Sequence, residues 1–142
     1  MLNLHFNTDS LPDNATIHKV TLKIKNAGVV GTGPFLTHGR LVADICKGFF
    51  GTPALQASDF QALATKNDVG YFREVGGAPG WYRLVLAPDD CMNINLTGGT
   101  QFRLRFAIDD NNDRGADFVA FYAGDATTVA NRPVLIVECS IP

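Results

Sequence analysis

Cysteine is scarce in this sequence and widely scattered. Cys46, Cys91 and Cys139 form no CxxC pair and no Cys/His cluster, which argues against a structural zinc site. One disulfide plus one free thiol would suit a secreted domain, but we expect three buried thiols packed as small apolar groups. Long apolar runs are also absent. None approaches the ~20 residues a helix needs to span a bilayer, so no membrane insertion is expected. Basic excess is missing too. Twelve Lys and Arg stand against 14 Asp and Glu, for a net charge of −2, whereas non-specific nucleic-acid binding needs a concentrated basic surface. Lys19, Lys23 and Lys25 do cluster, but they alternate with apolar residues and read as a solvated strand face.

Catalytic signatures are equally thin. Ser10, Ser58 and Ser140 lack a GxSxG setting, and Gly31-Thr32-Gly33 is too short for a phosphate loop and has no lysine. Of the histidines, His5 and His18 fall on polar strand faces, and His38 sits in a Gly/Thr loop with no nucleophile beside it. We therefore expect no enzyme.

What remains is a 142-residue chain that is 46% apolar and 18% charged, the composition of one globular domain with a real core. Period-2 alternation recurs between Gly, Pro, Asn and Asp clusters. Strands are expected at Leu2–Phe6, Thr16–Lys25, Arg40–Cys46, Val69–Val75, Trp81–Leu86, Thr100–Ile108, Asp117–Ala123 and Pro133–Cys139. Gly28, Gly31, Gly33 and Pro34 should break the chain after the second of these. Ser58-Asp59-Phe60-Gln61 has the form of a capping box, predicting a short helix over 59–65, and Pro88–Ile94 allows one helical turn. In Thr100–Ile108 the apolar side is Phe102, Leu104, Phe106 and Ile108, with Arg103 and Arg105 opposite. About eight strands, one or two short helices and no βαβ alternation predict an all-β antiparallel sandwich, jelly-roll-like, as a single module over 1–142. The abrupt strand-like opening suggests that the module belongs to a larger protein. The sequons at Asn14 and Asn95 would matter only in a glycosylating source.

One segment concentrates chemistry. Asp109-Asp110-Asn111-Asn112-Asp113-Arg114-Gly115-Ala116-Asp117 holds four carboxylates and two amides in nine residues. Hard oxygens at this density suit Ca²⁺, and the carboxylates repel one another unless a cation neutralises them. On an EF-hand grid Asp109, Asn111, Asp113 and Asp117 fall at ligand positions. Arg114 replaces the required glycine and Ala120 the bidentate glutamate, so this is no sensor loop. The expected metal residues are Asp109, Asp110, Asn111, Asp113 and Asp117, with Ca²⁺ as a structural brace. Further ligands would come from among Asp44, Asp59, Asp89, Asp90 and Asp125. A plain polar turn is the competing reading, since Asp, Asn and Gly are ordinary turn residues.

Aromatic residues supply the candidate ligand surface. Trp81 is the single tryptophan. If Leu84 and Leu86 face the core, Tyr82 does too, and Trp81 and Arg83 face outward. Planar rings bind the apolar faces of sugars, which makes Trp81 and Tyr122 the candidate ligand-binding residues. A core or interface role for Trp81 is the alternative.

The ends of the chain then suggest a family. Leu4-His5-Phe6-Asn7-Thr8-Asp9-Ser10-Leu11-Pro12-Asp13-Asn14-Ala15-Thr16-Ile17 resembles the pattern LRFDLSSLPAGATI that opens many bacterial DNRLRE-type domains. Val20-Thr21-Leu22-Lys23-Ile24 is similar to the ATLRLY that follows it. Arg132-Pro133-Val134-Leu135-Ile136-Val137 resembles the closing RPRLVVTY strand. The sequence departs from the pattern in lacking the usual leading strand before Leu2. The resemblance implies an extracellular or cell-surface β-sandwich module, similar to carbohydrate-binding modules, with a polysaccharide or a surface protein as partner. It transfers no ligand residues. The expectation is a non-catalytic carbohydrate-binding or attachment module, the alternative a structural or adhesin unit making protein contacts.

Overall fold

The computed structural model describes residues 2–30, 35, 38–50, 56, 58, 61–108 and 118–142. Nine strands follow in order: β1 (Leu2–Asn7), β2 (Thr16–Val30), β3 (Leu41–Lys47), β4 (Lys66–Tyr71), β5 (Arg73–Glu74), β6 (Trp81–Val85), β7 (Gly99–Phe106), β8 (Phe118–Phe121) and β9 (Val134–Ser140). They form two sheets. The first has the order β1-β7-β3-β4; the second runs β5-β6-β2-β8, with β9 also paired to β2. Every pairing is antiparallel. The chain crosses repeatedly between the sheets, and the architecture is the all-β sandwich that the alternation predicts.

The core lies between the sheets. Val20, Leu22 and Ile24 of β2 and Leu84 of β6 meet Leu41, Ala43 and Ile45 of β3 and Phe102 and Leu104 of β7. Tyr82 joins this layer, stacked on Phe35 at 4.8 Å between ring centroids and set edge-on to Phe121. Burial pushes its phenol pKa up, and the charge of Glu74 adds to that, so Tyr82 stays a neutral core ring.

Four expectations need correction. β2 does not break at Gly28. A bulge between Asn26 and Gly28 absorbs the glycine, Asn26 Oδ1 accepts the Gly28 N–H at 2.6 Å, and the strand continues to Val30. The strand expected over Val69–Val75 is two strands in different sheets. Phe72 is buried at the crossing and donates its N–H to Leu41 O at 2.8 Å, so β4 lies in the first sheet and β5 in the second. The helix expected over 59–65 is not formed in its described part. Residues 61–65 are turn, bend and irregular chain, Gln61 N–H closes a single turn on Ser58 O, and Thr65 Oγ1 accepts the Lys47 N–H. An isolated helix this short is marginal, and sheet pairing from Lys66 wins. Finally, Cys46 and Cys91 are buried as expected, but Cys139 is exposed, and all three thiols are free. The helical turn at Pro88–Asn93 forms as a 3₁₀ helix.

The alternation of β7 places Phe102 and Leu104 inward as read, yet its other face is buried too. Arg103 is only 6% exposed. Chain between β3 and β4 covers it. Phe50 lies over the Arg103 guanidinium at 4.6 Å, Phe50 N–H donates to Gln101 Oε1 at 2.9 Å, and Ala62 O accepts from Arg103 Nη1 at 2.6 Å. Under this cover sits Asp44, fully buried. Its carboxylate accepts from Arg103 Nε at 2.9 Å, Arg105 Nη2 at 3.1 Å and Asp68 N–H at 2.9 Å. The last bond holds Asp68 at φ 52°, an uncommon conformation for a residue other than glycine.

Candidate ligand-binding face

The outer face of the second sheet is built by strand register. With Leu22 and Ile24 turned inward, Lys23 and Lys25 of β2 point outward. β6 pairs with them, Lys25 opposite Trp81 and Lys23 opposite Arg83. Trp81 is therefore on the outer face, half-buried, as the alternation with Leu84 predicts. On the other side of β2, Asn26 pairs with Phe121, and the next step of the ladder is the Tyr122 N–H donating to Lys25 O at 3.0 Å. Phe121 faces the core against Tyr82, so Tyr122 takes the outward side.

The result is one cross-strand row: Trp81, Lys25, Tyr122. Spacing between strands sets the two aromatic positions about 10 Å apart. Each member is fixed. Trp81 is pinned through its backbone to Val75 and Ala78 across the Gly76–Gly80 turn. Lys25 Nζ donates to Asn131 Oδ1 at 2.8 Å. Two half-exposed rings flanking an ammonium group offer stacking faces and a hydrogen-bond donor at one level, which is the equipment of a sugar platform.

The adjacent row was missed by sequence reasoning. Arg73 of β5 pairs directly with Arg83, and Arg83 with Lys23, so three cations stand side by side. The Gly76–Gly80 turn is the signal that would have found this, because a hairpin centred there sets Arg73 opposite Arg83. A third row, Val85, Thr21 and Ile136, is largely apolar.

The acidic run gives no geometry. Asp109, Asp110, Asn111, Asp113 and Asp117 lie outside the described residues, between the end of β7 and the start of β8. Two of the further ligand candidates are engaged elsewhere. Asp44 is held by Arg103 and Arg105, and Asp90 pairs with Lys66 Nζ at 2.5 Å. Asp89 and Asp90 also precede β7, a strand of eight residues, and so lie toward its N-terminal end. Asp125 is exposed, and Asp59 is outside the described residues. Among the described residues no group of His, Cys, Asp and Glu could hold a metal ion, and no helix is long and apolar enough to cross a membrane.

The histidines behave as surface and core groups. His5 stacks on Phe49 at 5.6 Å between centroids. His38 is buried with its ring edge toward Phe106. His18 Nε2 lies 2.8 Å from Ser140 Oγ in the open, but among the described residues no carboxylate orients the ring, as nucleophilic catalysis would require. No family model matches this chain, and no curated protein or solved structure does either.

Proposed function

We propose that this chain is a non-catalytic module, extracellular or at the cell surface, that binds polysaccharide on the outer face of its second sheet. The observation behind this reading is the Trp81–Lys25–Tyr122 row, in which two aromatic residues far apart in sequence flank one ordered lysine. A glycan array tests it. A defined polysaccharide should bind, and Trp81→Ala should weaken it by about 10- to 30-fold, the loss expected when one large aromatic contact is removed. The melting temperature should fall by only a few degrees, because Trp81 is half-buried on the outer face and not in the core. Silence on every glycan overturns the reading.

One observation favours a second reading, a surface-protein or adhesin contact. Val85, Val134 and Ile136 are exposed by 40–45% on this same face. Concentration-dependent assembly together with a silent array would support it.

Ca²⁺ is proposed as a brace on the Asp109–Asp117 run, held by Asp109, Asn111, Asp113 and Asp117 with Asp110 next. Support comes from the donor chemistry alone: four carboxylates and two amides with a single nearby cation, Arg114. At a free Ca²⁺ concentration 100 times the Kd, binding adds about 2.7 kcal/mol, or about 8 °C for a chain of this size. EDTA should remove that increment. An unchanged melting temperature with no calcium by elemental analysis sinks the proposal.

A further inference from the structure

We propose that Tyr71, Arg73 and Arg83 form an oxyanion site that takes a carboxylate or sulfate group carried by the ligand. The inference rests on the polysaccharide reading for what carries the anion, and on the strand register for the site itself.

Arg73 and Arg83 are direct partners in the β5–β6 ladder, and Lys23 continues the row. Like charges directly opposite one another destabilise a sheet. Among the described residues no carboxylate lies within ion-pair distance of Arg73, Arg83, Lys23 or the neighbouring Arg40. The described carboxylate nearest in sequence, Glu74, pairs with the inward-facing Tyr82 instead. This stands in contrast to Asp44, which neutralises two arginines on the other sheet.

The arginines are also shaped. Arg73 Nη2 donates to the Tyr71 hydroxyl. The Arg73 guanidinium lies 4.7 Å from the Tyr71 ring centroid, and that of Arg40 lies 4.1 Å from it. Cation–π contact orders a guanidinium without neutralising it. Beside this stack is a cleft of about 350 Å³ lined by Gly70, Tyr71, Arg73, Arg83 and Val85. Gly70 lines the cleft with backbone only, since a Cβ there would meet the core residue Leu84 at 3.2 Å. Two arginines lining one cleft suit a planar or tetrahedral oxyanion, which a guanidinium fork takes with paired N–H bonds. The Tyr71 hydroxyl accepts from Arg73 and keeps its own proton to donate. The cleft adjoins the Trp81 row because Arg83 and Trp81 are two residues apart on one strand, hence on one face.

The test uses polygalacturonate, dextran sulfate and neutral dextran as polymers, and acetate and inorganic sulfate as small probes. Wild type, Arg73→Gln/Arg83→Gln, Arg73→Lys/Arg83→Lys and Trp81→Ala are compared by calorimetry, with NMR of the arginine Nε–H signals. At least one of the two anionic polymers should bind better than dextran, and which one does identifies the oxyanion. The double glutamine variant should lose about 10- to 100-fold for that polymer, the worth of charge-assisted hydrogen bonds. The lysine variant should recover part of the loss. Both arginines are exposed, and the glutamine variant should melt no lower than wild type, since it relieves like-charge repulsion.

The two readings fail separately. Anion-induced shifts at Arg73 and Arg83 with no polymer bound would keep the oxyanion site and remove the glycan. Dextran binding that depends on Trp81, with the arginine signals unmoved by acetate and sulfate, would keep the glycan and remove the oxyanion site. Equal binding of an anionic polymer by wild type and the glutamine variant overturns the oxyanion site outright.

Discussion

Asp44→Ala will destabilise the protein by about 3–5 kcal/mol, the cost of stranding buried charge when one partner of an ion pair is removed. For a chain of this length that is a fall of about 10–15 °C in melting temperature. Asp44 is fully buried and holds Arg103, itself almost fully buried, and Arg105. Removing the carboxylate takes a charge partner from Arg103 beneath the β3–β4 connection and from the partly exposed Arg105, and releases the Asp68 N–H. Asp44→Asn should cost nearly as much, because it keeps the shape and loses the charge. Lys66→Ala is the contrast. Its partner Asp90 is buried, but Lys66 itself is half exposed, so solvent screens the pair and the loss should be about 1 kcal/mol or less. Urea melts of the three variants measure the difference. Equal losses for Asp44→Ala and Lys66→Ala would show that the Asp44 cluster contributes no more than a surface pair.

The same cluster sets an acid limit. Burial alone would raise the Asp44 pKa, but hydrogen bonds from Arg105, the Asp68 backbone and Arg103 outweigh it and hold the carboxyl below its ordinary value. A depressed folded-state pKa gives stability that is complete above the unfolded value, about 4. That stability is lost as pH falls through the folded one. Wild type should therefore lose stability steeply below about pH 4, and Asp44→Asn should lose less over the same interval.

Much of this fold is legible in sequence because β-sandwich strands carry their own period. The alternation of Val20, Leu22 and Ile24, and of Phe102 and Leu104, predicts the core correctly. What the period cannot show is what covers the second face. Arg103 reads only as lying opposite the apolar side, because nothing local marks the distant Phe50 and Ala62 as its cover. Nor can it show where a strand changes sheets. Tyr71-Phe72-Arg73 alternates without interruption, and the crossing shows only in the pairing: Tyr71 is opposite Val42 in the first sheet and Arg73 opposite Arg83 in the second. The candidate face divides in the same way. Trp81 and Tyr122 were each visible as aromatics on strands, whereas their meeting across Lys25 depends on β2 pairing with β6 on one side and β8 on the other. The Arg73–Arg83 register was within reach through the Gly76–Gly80 turn.

Phe102→Ala will cost about 3–5 kcal/mol, as buried Phe→Ala changes do. Phe102 has no exposure and lies where the two sheets meet, with Phe6 edge-on at 6.1 Å between centroids. β7 is paired on both sides, to β1 and β3, so the backbone cannot collapse into the space the ring leaves. Phe49→Ala makes the same chemical change where collapse is not required. Phe49 is 41% exposed and stacks on His5 at the surface, and its removal should cost about 1 kcal/mol. Denaturant midpoints at constant slope give both values. The pair also separates fold from function, because neither ring lies on the outer face of the second sheet. A Phe102→Ala protein that still folds at low temperature should bind polysaccharide with wild-type affinity. Affinity falling in step with stability would move the ligand away from the Trp81–Lys25–Tyr122 row and toward the β1–β7 side of the sandwich.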